Sequence, residues 1–158
     1  MMINAVLLAL STIVAANVVP TEEHNIQFNN RCGFGNPTVV VGGKIVGGNF
    51  IATGPIRNAI AFPWHRTGNC GFNGENCTVV ETTLQNPTTP GTGSETDITL
   101  IPPHTFSVPV AFNYTNGCNG VGRSCPTANC VQAFHEPGDP PVQAACQANN
   151  VALAITFC

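Results

Sequence analysis

Glu81 is the one charged residue in a β-branched run, Thr78-Val79-Val80-Glu81-Thr82-Thr83-Leu84-Gln85. Asp, Glu, Lys and Arg together make up only 8% of the chain, so a carboxylate in mid-strand calls for a reason. Three kinds of chemistry fit. With a second acid it could form a glycosidase pair, one carboxyl protonated, the two about 5–5.5 Å apart for retention or about 6.5–9.5 Å for inversion. It could accept hydrogen bonds from sugar hydroxyls without cleaving anything. It could also be structural, ion-paired with Arg57 or Arg66.

A second candidate is the run Phe62-Pro63-Trp64-His65-Arg66, which leads into the Gly- and Asn-rich stretch 67–76. The apolar CH face of a sugar stacks on aromatic rings, and its hydroxyls match the fork of a guanidinium. Trp64, His65 and Arg66 therefore read as glycan-binding residues. The competing reading puts Trp64, the sole tryptophan, in the core, where large aromatic side chains dominate. Ser107, His104 and Asp97 have the residue types of a hydrolytic triad, but no nucleophile-elbow context surrounds them.

The eight cysteines fall at 32, 70, 77, 118, 125, 130, 146 and 158. Cys125 and Cys130 are badly spaced for zinc, and no second pair stands with histidines at ligand spacing, so no metal and no cofactor is expected. An even count in an exported chain indicates four disulfides, with 105 pairings open to eight cysteines.

Export is indicated by the N-terminus. Residues 1–16 are mostly apolar and end in Val14-Ala15-Ala16, small residues suited to signal peptidase, so they read as a secretory signal peptide. The alternative is an N-terminal anchor, but the stretch is too short to cross a bilayer and no other stretch reaches that length. Residues 17–158 fit one domain. The net charge of −3 with five Lys plus Arg lacks the basic patch of a nucleic-acid binder. Asn113-Tyr114-Thr115 is an N-glycosylation sequon.

The elements that must position these residues are strands. Ile26 and Phe28 alternate with Asn25, Gln27 and Asn29. Residues 97–101 continue into 105–112, with Phe106, Val108, Val110 and Phe112 on one face. Val151, Leu153, Ile155 and Phe157 form another. Period-two patterning predicts half-buried antiparallel strands, and the sixteen Gly and thirteen Pro supply many turns. One short helix is expected over 127–135.

The stretches 25–34, 66–77, 80–85, 96–110, 117–125 and 151–158 resemble, in order and wording, motifs of the thaumatin-like proteins. Over the mature length the chain is also similar to small secreted mushroom glycan-binding lectins and antiviral glycoproteins. The resemblance implies four disulfides: Cys32–Cys158, Cys70–Cys77, Cys118–Cys146 and a local Cys125–Cys130. It also implies an acidic cleft, with which many members bind or cleave β-1,3-glucan. Glu81 and Asp97 match two cleft acids, and cross-strand neighbours lie near ~5 Å. The next family acid is replaced by Pro102-Pro103-His104, and the family's second subdomain is cut down to 118–146. The resulting expectation is a mainly β protein, an antiparallel thaumatin-like sandwich with one short disulfide-rich helical segment. The alternative is an α+β sandwich with a helix packed on the sheet. The expected function is secreted, non-catalytic, lectin-like carbohydrate binding of fungal defence or effector type, with a weak β-1,3-glucanase as the alternative. Its partners would be glycans or polysaccharide.

Overall fold

The computed structural model describes residues 21–64 and 70–158. The expected signal peptide, His65, Arg66 and the side chain of Trp64 lie outside the described residues. Eleven strands follow one another: β1 (Glu23–Asn30), β2 (Asn36–Val41), β3 (Lys44–Gly47), β4 (Phe50–Thr53), β5 (Ile56–Trp64), β6 (Val79–Leu84), β7 (Ser94–Thr99), β8 (Val110–Thr115), β9 (Gly122–Cys125), β10 (Ala144–Cys146) and β11 (Ala152–Phe157).

They make two sheets. One has the order β4-β1-β11-β8-β9 and the other β10-β7-β6-β5-β2-β3. All pairings are antiparallel except β1 with β11, the first and last strands, which run parallel in the register Ile26↔Leu153 and Phe28↔Ile155. The expected alternation is clear here: Leu153, Ile155 and Phe157 are fully buried, while Ala152, Ala154 and Thr156 between them face outward. The inner faces of the two sheets share one core cluster, with Ile26, Phe112, Leu153 and Ile155 from one sheet and Val39, Ile56, Val80, Leu84 and Ile98 from the other. The strand expected over 105–112 begins only at Val110, so Phe106 and Val108 pack on the core from a loop.

A buried polar contact ties the sheets. Tyr114 Oη lies 2.9 Å from both Thr96 Oγ1 and the Ala144 carbonyl, and Thr96 Oγ1 lies 2.6 Å from Thr82 Oγ1. At one end, the ring of buried His24 bridges the Val151 carbonyl and the Glu22 carboxylate, at 2.9 and 3.0 Å.

The sulfurs pair Cys32–Cys158, Cys70–Cys77, Cys118–Cys146 and Cys125–Cys130. The first bond follows from the parallel pair, because Asn30 lies opposite Phe157 and the cysteines stand just beyond. It closes a separation of 126 residues. In the chain-entropy model such a loop stabilises by about 4–5 kcal/mol.

The expected helix over 127–135 is absent, and no helix occurs among the described residues, which also removes the α+β alternative. The reason is where the backbone donors go. Cys130 N–H donates to the Thr127 carbonyl in a turn closed by the Cys125–Cys130 bond. Phe134 N–H donates to the Ile98 carbonyl, and Leu100 N–H donates back to Phe134. The segment thus joins the edge of β7, through the parallel bridge Thr99↔Phe134, in place of a helical ladder.

Candidate functional site

The outward face of the six-stranded sheet carries the acids. Glu81 on β6 stands directly opposite Asp97 on β7, and Thr83 stands opposite Glu95. Glu95 and Asp97 are two apart on one strand, so they share a face. Next to Glu81 on its other side is Ile60 of β5. Three carboxylates therefore crowd one patch. Asn58, Ile60, Glu81, Thr83, Glu95 and Asp97 line a shallow cleft of about 280 Å³.

Local sequence explains the shape. The β5–β6 register shifts between Ile56 and Ala59, and Asn58 within that bulge has φ 49°. Asparagine tolerates this left-handed conformation better than most residues. Its N–H donates to Thr83 Oγ1 at 3.2 Å, which tethers the bulge to β6. Farther along the same face Val40, Phe62 and Val79 form a small apolar cluster, with Ile60 and Cys70 packed against it. The acids therefore have an apolar flank on the β5 side.

Electrostatics single out Asp97. Burial raises its carboxyl, and the neighbouring Glu81 and Glu95 add to the effect, pushing the pKa from 3.8 to about 7. Its Oδ1 atom is buried and has no hydrogen-bond partner. Glu81 is exposed, and no Lys or Arg among the described residues lies within ion-pair distance of it. The ion pair with Arg57 that its sequence allows is not formed; Arg66 lies outside the described residues. With a pKa of about 7, Asp97 is protonated in part near neutral pH, so this face can both donate to and accept from a polyhydroxy ligand.

The structure brings Glu81 and Asp97 together; His65, Arg66 and the side chain of Trp64 lie outside the described residues. The backbone of Trp64 closes β5 opposite Asn36, four residues past Ile60, roughly 13 Å along the strand. Pro103 and His104 serve the loop below: Asn76 N–H donates to the Pro103 carbonyl, and His104 Nδ1 lies 3.0 Å from the Gly74 carbonyl. Ser107 Oγ accepts from Thr78 N–H at 3.1 Å. Ser107, His104 and Asp97 do not hydrogen-bond to one another, so no triad assembles. The sequence reading missed Glu95 and Asn58. Period-two alternation in Ser94-Glu95-Thr96-Asp97 would have found the first; the bulge that presents the second leaves no periodic mark.

No protein-family model matches the chain. A curated relative, "Thaumatin-like pathogenesis-related protein 2" of Avena sativa, is 29% identical over 178 aligned positions, covering 98% of this chain and 97% of that protein. The solved structure of the thaumatin-like xylanase inhibitor TLXI superposes with a TM-score of 0.54 at 18% identity, over 85% of this chain and 98% of the other. The chain is thus similar in sequence to a thaumatin-like protein, and the superposition shows a thaumatin-like fold.

Proposed function

We propose that this protein is a secreted, non-catalytic carbohydrate-binding protein, lectin-like and of fungal defence or effector type, whose glycan site is the acid-lined face of β5, β6 and β7. One observation carries the reading: Asp97 sits opposite Glu81 and beside Glu95 with a buried carboxyl oxygen that lacks a partner. Three carboxyl groups gathered on one cleft offer a polyhydroxy ligand several oxygens at once. Four disulfides fit an oxidising extracellular setting. The relative with a pathogenesis-related name agrees with a defence role. Trp64, His65 and Arg66, which follow Phe62-Pro63 in the chain, would add a ring and a guanidinium for a longer glycan.

The second reading is a weak β-1,3-glucanase. It is favoured by the carboxyl of Asp97, which keeps its proton close to neutral pH beside the Glu81 carboxylate, as a general acid would. Against it, the cleft is shallow, and the position of the third family acid holds Pro102-Pro103-His104, whose backbone and ring serve a loop. A glycan array run beside a reducing-sugar assay on laminarin separates the two. Binding without release supports the lectin; release that Glu81→Gln abolishes supports the enzyme.

A further inference from the structure

The outer face of the five-stranded sheet has a composition unlike the acid face. Three rows cross it in register: Asn25, Ala152 and Thr115; Gln27, Ala154, Asn113 and Gly122; Asn29, Thr156, Ala111 and Ser124. None of these residues is charged. The strands β1 and β8 contribute amides and hydroxyls, and β11 between them contributes two alanines, so the middle of the face is low. At one end it deepens into a trough of about 500 Å³ whose lining includes Asn25, Gln27, Thr115 and Ala152 and also the ionisable Glu23 and His24. The Oδ1 atom of Asn25 is buried there and has no hydrogen-bond partner.

Asn113, the acceptor of the sequon Asn113-Tyr114-Thr115, stands in the middle row and is exposed. Its ladder neighbours are the two smallest residues, Ala154 and Gly122. Gly122 has to remain without a side chain, because a Cβ would run into the Phe112 carbonyl and the Asn113 backbone. Neither neighbour's side chain reaches beyond a methyl, and the Asn113 Nδ2 donates a long bond, 3.3 Å, to the Tyr114 carbonyl. Thr115, two residues on and roughly 7 Å away, is already a wall of the trough.

We infer that Asn113 carries an N-linked glycan whose core sugars lie back on this sheet face, over Ala154 and Ala152 and into the trough between Asn25, Gln27 and Thr115. Attachment takes place in the secretory pathway from a polyprenyl-pyrophosphate-linked oligosaccharide. The Asn113 Nδ2 attacks the anomeric carbon, the C–O bond to the pyrophosphate breaks, and the amide gives up one proton as the N–C bond forms. No oxidant or reductant is needed. The face suits the sugar chemically: alanine methyls meet the CH side of the ring, and amides and hydroxyls meet its hydroxyls. The inference is independent of the acid face and survives if that face binds nothing.

The experiment uses the full chain secreted from a eukaryotic host. Its intact mass is measured before and after peptide-N-glycosidase treatment, for wild type, Thr115→Ser and Thr115→Ala. Wild type and Thr115→Ser should lose the mass of a glycan, with Asn113 converted to Asp, and Thr115→Ala should lose nothing. On the glycosylated protein, NMR should show through-space contacts from the core N-acetylglucosamine protons to the Ala152 and Ala154 methyls. An unoccupied Asn113 overturns the inference. So does an occupied Asn113 whose sugars show no contact with those methyls, because the glycan then points into solvent.

Discussion

At the scale of single residues, Asp97 is the carboxyl that burial and its acidic neighbours raise. An unfolded carboxyl of this kind titrates near 3.8 and the folded one near 7. Between those values the folded protein holds a proton that the unfolded chain has released. Stability therefore falls as pH rises through that window and levels off above it. The full effect is on the order of 2–4 kcal/mol. Asp97→Asn should flatten this part of the profile and leave the variant more stable than wild type at pH 8, as measured by urea unfolding at a series of pH values. Parallel profiles for the two proteins would mean that Asp97 is not held protonated by the fold. Binding should follow the same proton. A neutral carboxyl donates to a sugar oxygen and an ionised one cannot, so glycan affinity should be higher at pH 5.5 than at pH 8, and Asp97→Asn should lose that difference.

At the scale of elements, the site exists because β6 and β7 pair in a register that sets Glu81 against Asp97. A one-residue slip of either strand would send its own acid to the inner face and separate the pair. The inner face locks the register through Thr82, Thr96 and Tyr114. Tyr114→Phe removes the hydroxyl shared by Thr96 and the Ala144 carbonyl, and should cost about 1–2 kcal/mol in urea unfolding. An unchanged midpoint would show the contact to be dispensable. Trp64, at the end of β5, gives a second test at this scale. As a sugar-stacking residue its replacement by Ala should weaken glycan binding and leave the melting temperature nearly unchanged. As a core residue the same change should cost roughly 3–5 kcal/mol and melt the protein earlier.

Strands such as β11 were legible because one face is buried and the other wet, which writes a period of two into Val151 to Phe157. The strands β2 to β5 escaped notice: Val39-Val40-Val41 is an unbroken apolar run, and the Asn58 bulge breaks the alternation of β5. The stretch 127–135 was misread as a helix because Ala, Gln and Val in a short segment carry no signal of the disulfide turn and sheet edge that claim its backbone donors. Glu81 was legible as an oddity of composition, and Asp97 through the family resemblance. Glu95 was legible in principle from the alternation of Ser94-Glu95-Thr96-Asp97, whereas the burial that separates Asp97 from its neighbours leaves no mark in the sequence.

For the whole molecule, two sheets with many loops are held by four bonds, and one of them joins the first strand to the last. Reduction should unfold the protein, seen as loss of cooperative thermal melting, and non-reducing peptide maps should recover Cys32 linked to Cys158. Free thiols in the folded protein, or Cys32 linked to Cys70, would contradict the framework. The central claim is that a rigid sheet face presents a protonated Asp97 between carboxylates to bind a glycan without cutting it. The most direct test is titration of the best glycan-array ligand into wild type and Glu81→Gln, with the ligand recovered and sized afterwards. The account predicts that Glu81→Gln loses affinity by about tenfold, equivalent to about 1.4 kcal/mol, and that the recovered ligand is intact in both cases. Equal affinity in the two proteins, or ligand shortened by wild type and spared by Glu81→Gln, would contradict it.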